Sequence, residues 1–221
     1  LFRSSSKKYF KKIGSTFTWY LVENCPFYKN INITGIYNKE EYKDSVTSLK
    51  RNYIPLLYNQ LVYSILSKTI DNTSCNKFKV ETSSDLHKYT KRDLIQTTQD
   101  DTYKYKLIHT PKQTVYASRP HKYQEGYKVF ISTTDKYGVF IDNCGMTQSI
   151  AFIECKDEEE ANRISHVLNH PLYKFVNDIC RYGNFNNIRI LQSFPYCNSF
   201  DDVYKKFNIS DAEKDFIETN V

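Results

Sequence analysis

Glycine and proline are scarce in this chain, and their positions exclude several classes of enzyme. The 221 residues include 6 Gly and 6 Pro, whereas average usage is about 7% and 5%. The glycine spacing matches neither the G-x-G-x-x-G loop nor the phosphate-binding G-x-x-x-x-G-K-[ST] loop, and no Pro-Pro dipeptide occurs. The sequence therefore offers no glycine-rich loop to hold the phosphates of a nucleotide.

The remaining composition indicates a folded protein with a modest basic excess. Hydrophobic residues make up 40% and charged residues 25% of the chain, which is typical of globular proteins. Lys and Arg number 31 against 25 Asp and Glu, a net charge of +6 that is compatible with a polyanionic partner. The chain begins at Leu1 and its single methionine is Met146. We therefore expect a processed product or a piece of a longer polypeptide.

The cysteines and the hydropathy pattern predict an intracellular protein. The 6 Cys include no C-x-x-C pair, so we expect buried reduced thiols rather than a zinc ribbon or a disulfide framework. No apolar run approaches 18 residues, and no signal-peptide segment is present. We expect a cytoplasmic location, or a nuclear one in a eukaryotic or viral setting, and no membrane partner.

The sequence periodicities predict an α+β chain of three segments. In residues 1–40, strands at 13–23 and 31–37 form a hairpin-like unit. Residues 41–75 form a helical connector, within a helical pattern that spans 39–70 and is interrupted at Pro55. Residues 76–221 form a mixed, mainly antiparallel sheet with packed helices. The fold class is therefore α+β, with one large domain at the C-terminal end.

The third segment has the clearest local signals. Alternating apolar residues predict strands at 127–133, 137–142, 147–155 and 188–194, and short strands at FKVET, YKYKLIH and TVYAS. The polar stretch 83–104 is a predicted long loop, which is usually functional or mobile. Helices are predicted at 157–168 and 171–182, and Ser210 with Glu213 forms a capping box before a last helix.

Basic and aromatic residues interleave in ways that suit nucleic acid. They do so at KYTKR (88–92), KYK (104–106) and RPHKY (119–123), and an Asn- and Arg-rich loop follows Gly183. Lys and Arg bind phosphates, whereas Arg and Asn also read base edges. A solvated surface is the competing interpretation of each patch. The predicted phosphate or base contacts are Lys91, Arg92, Lys112, Arg119, Lys122 and Arg181, and the predicted base readers are Asn184, Asn186, Asn187 and Arg189.

Two other chemistries are weaker alternatives. Asp142, Glu154 and Lys156 spell D-x11-E-x-K on adjoining strands, a pattern that suits a Mg²⁺-dependent nuclease. His166 and His170 have the i,i+4 spacing of two zinc ligands, but the sequence HVLNH lacks the glutamate of H-E-x-x-H. We predict surface or helix-end histidines there, and we assign no catalytic, cofactor-binding or metal-binding residue.

The order of several segments resembles a known family. These are KVFIST (128–133), CGMTQSIAFI (144–153), EEANRISHVLNHPLYKFV (159–176), GNFNNIRILQSFPY (183–196) and FNISDAEKDFIE (207–218). Together they resemble the C-terminal target-recognition region of adenine-specific DNA methyltransferases from type II and IIG restriction–modification systems. IGSTFTWYLVEN (13–24) and ITGIY (33–37) resemble the last strands of the catalytic core of that family.

The resemblance implies a DNA-binding module and adds Thr147 and Gln148, in the matching turn, as DNA contacts. The catalytic [DNS]-P-P-[YF] and cofactor F-x-G-x-G signatures of the family are absent. We therefore expect double-stranded DNA as the partner, and a catalytic methyltransferase or nuclease domain upstream or in trans. S-adenosylmethionine is expected only in a full-length parent. An alternative role is a protein-interaction module derived from such a recognition domain.

Overall fold

The computed structural model describes residues 2–5, 16–19, 31–38, 40–46, 53–134, 136–181, 183 and 185–221. The strands are β1 (Phe2–Ser5), β2 (Thr16–Trp19), β3 (Ile31–Tyr37), β4 (Glu40–Val46), β5 (Glu81–Thr82), β6 (Ile95–Gln96), β7 (Tyr105–Thr110), β8 (Gln113–Ala117), β9 (Lys128–Ser132), β10 (Val139–Asp142), β11 (Gly145–Met146) and β12 (Ile150–Glu154). The helices are α1 (Gln60–Lys68), α2 (Glu158–Leu168), α3 (Pro171–Cys180), α4 (Ile188–Gln192), α5 (Val203–Lys206) and α6 (Asp211–Thr219), and a 3-10 turn spans Arg92–Leu94. The expected α+β class is confirmed.

Two four-stranded sheets form the centre of the molecule. The first sheet has the order β10-β9-β12-β5 and is antiparallel throughout, whereas the second has the order β11-β7-β8-β6. In the second sheet only the β11–β7 pair is parallel. The predicted mixed, mainly antiparallel sheet is therefore present as two sheets.

Strands β9 and β12 are buried on both faces. Val129 and Ile131 belong to the cluster that packs with the helices, whereas Phe130 packs with Ile108 and Met146 of the second sheet. Residues of β12 alternate in the same way, since Ala151 faces the helical side. Side chains alternate between the faces of a strand, so these continuous apolar runs fill two layers at once. The first sheet thus lies between the helices and the second sheet.

The helices begin where the sequence provides caps. Asp157 accepts a hydrogen bond from the Glu160 backbone N–H at 2.8 Å, and His170 caps α3 ahead of Pro171. Ser210 and Glu213 form the predicted capping box. These caps satisfy backbone N–H groups that have no partner within the helix. The predicted helices at 157–168 and 171–182 are confirmed, the second ending at Cys180.

The N-terminal predictions need correction. Residues 40–46, predicted as helix, form β4 and pair with β3, whereas β2 pairs with β1 rather than with β3. Gly35 and Tyr42 are paired across this hairpin. The Tyr42 ring packs so closely on Gly35 that a Cβ at Gly35 would lie 2.5 Å from it. The Tyr42 hydroxyl donates to the Leu56 carbonyl at 2.9 Å. This cross-strand packing outweighs the helical spacing that Val46 suggested.

Three further predictions differ from the structure. The predicted strand at 188–194 is the short helix α4, capped by Asn187, whose side chain accepts from the Arg189 N–H at 3.0 Å. Short apolar runs fit strand or helix equally well, and here the cap decides. The predicted strand FKVET is reduced to β5, and the helix expected after Pro55 begins only at Gln60.

One hydrophobic cluster crosses the predicted segment boundaries at residues 40 and 75. It includes Ile33 of β3, Leu66 of α1 and Phe175 of α3, all buried. The three segments therefore share one core. No helix within the described ranges is long and apolar enough to cross a membrane.

Candidate nucleic-acid interface

The positive charge of the chain is unevenly distributed along the sequence. Residues 1–135 contain 22 Lys and Arg against 12 Asp and Glu, whereas residues 136–221 contain 9 against 13. Clustered charge of one sign creates a field that attracts a polyanion to one part of a surface. The excess positive charge that could attract a polyanion therefore lies in the first 135 residues.

A segment from Ser83 to Leu94 covers the outer face of the second sheet; we call it the anchored segment. Leu86 is fully buried in a cluster with Leu107 and Val115. Further along, the backbone N–H of Lys88 donates to Oε1 of Gln148 at 3.0 Å. These contacts hold a stretch of chain that contains little regular secondary structure.

His121 fixes the start of the anchored segment. Its Nδ1 accepts from the Tyr123 backbone N–H at 3.0 Å, so the ring proton belongs on Nε2. That Nε2–H group donates to Ser83 Oγ at 2.8 Å. Burial lowers the pKa of His121 to about 4, which keeps the ring neutral. Ser83 therefore faces a donor, and this Ser–His pair does not form a nucleophile and base.

Asp85 provides a further anchor by pairing with Arg119. Arg119 Nη2 lies 2.9 Å from Asp85 Oδ1, and the Lys122 backbone N–H donates to Oδ2 at 3.0 Å. Chiefly because of the hydrogen bond from Arg119, the pKa of Asp85 is lowered to about 2. Arg119, predicted to contact phosphates or bases, therefore binds a carboxylate of the anchored segment in this conformation.

Removing this carboxylate is expected to destabilise the protein slightly. Asp85→Asn should lower the free energy of unfolding at pH 7 by about 1 kcal/mol, because a partly exposed ion pair with two hydrogen bonds is lost. Urea unfolding measures the change. The matched control is Glu41→Gln, which removes the exposed pair between Glu41 and Lys43 and should have almost no effect. Equal effects of the two variants would contradict the anchoring role of Asp85.

The anchored segment forms one wall of a groove of about 300 Å³, which we call the cationic groove. Its lining residues are Lys88, Tyr89, Arg92, Ile95, Gln96, Thr97 and Val115. Tyr89 is 57% exposed, and Arg92 Nε donates to the Tyr89 carbonyl at 3.1 Å. Lys91 is exposed next to this groove. The described residues place no carboxylate within 4 Å of the side-chain nitrogens of these three cations.

A second groove of about 390 Å³ lies next to the first; we call it the hydroxyl groove. Its lining residues are Thr82, Ser83, Ser84, Thr133, Thr134, Gln148, Ser149, Phe185, Asn186 and Ile188. The two grooves are neighbours because Lys88 of the first is hydrogen-bonded to Gln148 of the second. Phe185 lies at the edge of the hydroxyl groove and is 62% exposed. Its backbone pairs with Thr134 through an isolated β-bridge.

The structure brings some of the predicted contacts to these grooves. Arg92 lines the cationic groove, and Gln148 and Asn186 line the hydroxyl groove. Asn187 and Arg189 lie at the start of α4, which follows Asn186 directly. Lys122 is exposed, and its ammonium lies 4.4 Å from the centre of the Tyr123 ring. Arg92, Gln148 and Asn186 thus lie in the linings of the two neighbouring grooves.

Other predicted contacts lie elsewhere or are buried. Thr147 is fully buried, with Oγ1 2.6 Å from His109 Nδ1, and buried Asn186 donates to the Ser132 carbonyl at 2.8 Å. These two side chains support the fold in this conformation. Lys112 is exposed in the turn between β7 and β8, and Arg181 is half-buried after α3. Asn184 lies outside the described residues.

The residues of the nuclease alternative flank a buried lysine. Asp142 and Glu154 are both paired in register with Lys128, so the two carboxylates share a face of the sheet with Lys128 between them. Asp142 also forms an ion pair with Lys106 at 2.5 Å. Lys156 is exposed and lies 3.8 Å from Asp157. Asp142 is therefore already paired with an ammonium group, and the Lys128 ammonium between the two strands donates to the Glu125 carbonyl.

The histidines of HVLNH have roles in the helical layer. His170 is buried and accepts from the Leu172 N–H at 3.1 Å, as the predicted helix-end residue. His166 stacks on Phe200 with ring centres 4.5 Å apart. Within the described ranges, no group of three or more His, Cys, Asp or Glu is arranged to hold a metal ion.

Lys88, Tyr89 and Phe185 line the grooves and were not among the predicted contacts. Lys88 and Tyr89 belong to the KYTKR motif, so their types and spacing were a usable signal. Phe185 lies between Asn184 and Asn186 in the Asn-rich loop. An isolated aromatic residue in a polar loop is therefore the signal that identifies it.

No protein-family model, no curated protein and no solved structure matches this chain. The geometry and charge of the grooves, together with the sequence motifs, are therefore what supports a function.

Proposed function

We propose that this chain binds double-stranded DNA through the cationic groove and the loops next to it. The observation that carries the proposal is that Lys88 and Arg92 line the cationic groove together with the exposed Tyr89, and that Lys91, next to Arg92 in the chain, is exposed as well. These cations have no acidic partner within 4 Å among the described residues, and they lie on a segment held in place by buried contacts. A fixed cluster of uncompensated cations suits a phosphate backbone.

Several other cations of the chain are already neutralised or bound. Lys68 pairs with Glu213 at 2.6 Å, and Arg163 lies 3.3 Å from Glu160. Buried Lys128 donates to the Glu125 carbonyl at 2.8 Å. The contrast with Lys91 and Arg92 supports a partner that supplies the missing negative charge. Tyr89 and the aliphatic wall of the groove give that partner apolar contacts beside the phosphates.

The role within a larger system follows from the sequence resemblance. We propose the target-recognition portion of an adenine-specific DNA methyltransferase or a related restriction–modification protein. The signatures for catalysis and for S-adenosylmethionine are absent from these residues. A methyltransferase or nuclease domain, upstream or in trans, would supply them. Methyl transfer is therefore not expected from this chain alone.

Salt dependence of binding tests the proposal. Fluorescence anisotropy with a labelled, fully paired duplex should show the logarithm of the association constant falling linearly with the logarithm of salt concentration. If three phosphates are neutralised, the slope of this plot should be about −2.7, because each contact contributes about −0.9. No binding, or binding that does not change with salt, would contradict the proposal. Salt-independent association with a protein would instead favour the alternative of an interaction module.

A further inference from the structure

The hydroxyl groove has a chemistry different from that of the cationic groove. Its described lining carries hydroxyl and amide groups, one exposed phenyl ring, and neither Lys nor Arg. A phosphate would find no counter-charge among these side chains. A neutral ligand with a flat apolar face and a polar edge fits them better. We propose that the hydroxyl groove binds an unpaired nucleobase of the nucleic acid that the cationic groove holds.

Phe185 provides a surface for the face of a base. Its side chain is 62% exposed, whereas most large apolar residues of the described chain are buried. Its backbone is fixed on both sides, by the bridge to Thr134 and by the Asn186 N–H, which donates to the Thr133 carbonyl at 3.0 Å. Every base has a π face, so stacking on a held aromatic ring is favourable and tolerates any sequence.

Gln148 and Ser83 provide donors for the edge of a base. The Lys88 N–H donates to Gln148 Oε1, which fixes the orientation of the amide. Nε2 donates one hydrogen to Ser149 Oγ at 3.1 Å, and a second N–H remains. Ser83 Oγ accepts from the His121 and Asp85 N–H groups, so its own proton is left to donate. Ring nitrogens and carbonyl oxygens of bases accept such hydrogen bonds.

The inference rests on the proposed function, because the base must belong to a bound strand. Lys88 links the two grooves through its hydrogen bond to Gln148. A strand whose phosphates contact Lys88, Lys91 and Arg92 therefore passes beside the hydroxyl groove. A base in a duplex cannot enter, because its edge is paired and its faces are stacked. The groove therefore favours a duplex that carries an unpaired position.

The test compares two labelled duplexes of the same sequence, one fully paired and one with a single unpaired adenine. In fluorescence anisotropy, wild-type protein should bind the second about tenfold more tightly, in line with the contribution of stacking on one aromatic ring. Phe185→Ala should abolish this preference, so that the variant binds the two duplexes with equal affinity. Phe185→Trp should retain the preference, because the stacking surface remains.

The control is Ile36→Ala, which removes another exposed apolar side chain, on β3, and should leave the preference intact. Equal affinity of wild-type protein for the two duplexes would overturn the inference and leave the proposed function standing. The same conclusion would follow if Phe185→Ala kept the preference. If neither duplex binds, the proposed function fails, and this inference fails with it.

Discussion

Reversing the charges of Lys91 and Arg92 is expected to weaken binding to a fully paired duplex by about 100-fold or more at low salt. The double variant Lys91→Glu with Arg92→Glu removes two phosphate contacts and places two carboxylates against the backbone. Each lost phosphate contact should also reduce the magnitude of the salt slope by about 1. Anisotropy titrations at several salt concentrations measure both quantities.

The matched control reverses two exposed lysines of α5, Lys205→Glu with Lys206→Glu. These cations belong to the acidic part of the sequence and lie outside the two grooves. The control has the same change in net charge, so a loss confined to the first variant assigns the effect to the groove. Equal losses would show that net charge, rather than the cationic groove, governs binding. Lys91→Glu alone separates the charge effect from the loss of the hydrogen bond that Arg92 donates to Tyr89.

The protein is expected to lose much of its stability between pH 6.5 and pH 4. Burial lowers the pKa of each of His109, His121 and His170 to about 4, whereas an unfolded histidine titrates near about 6.5. The unfolded chain therefore binds more protons than the folded chain in this range. The stabilisation is complete above the unfolded pKa and is lost as the pH falls towards the folded pKa.

The expected loss is large for a single domain. One pKa unit corresponds to about 1.4 kcal/mol, so a difference of one unit realised at each of three histidines removes about 4 kcal/mol. Urea unfolding at pH 7, 6 and 5 measures the loss. His121→Gln should flatten the pH dependence, because one titrating group is removed. A pH-independent free energy of unfolding would contradict the prediction.

The sequence predicts best the elements whose signals are local. Helix α2 begins at Asp157 and α6 at Ser210, because a capping side chain and an apolar face occur within one turn of each other. Strand β4 was missed because its partner contact is between Tyr42 and Gly35 across a hairpin. Helix α4 was missed because five apolar-rich residues carry no distinct period. Pairing of strands and packing of short elements depend on the whole fold.

The same difference between local signals and contacts that depend on the whole fold applies to the candidate interface. The interleaved motif at 88–92 predicted the position of the cations, because residue type and spacing suffice for that. The burial of Thr147 and of Asn186 was not predictable, since both depend on contacts with residues distant in sequence, His109 and Ser132. The pairing of Arg119 with Asp85 joins residues on two different loops. A polar residue in a loop can therefore either bind a ligand or stabilise the fold. Only the contacts that it makes in the folded protein show which of the two roles it has.

The contacts that hold the anchored segment have a consequence for the kinetics and thermodynamics of association. Leu86, Ser83 and Asp85 are all fixed before any ligand arrives. A segment that is already ordered loses little conformational entropy on binding. The cations thus meet the phosphates in a nearly final arrangement, and the encounter requires no folding step. Association should therefore approach the rate set by electrostatically guided diffusion, and variants should differ mainly in how quickly the complex dissociates.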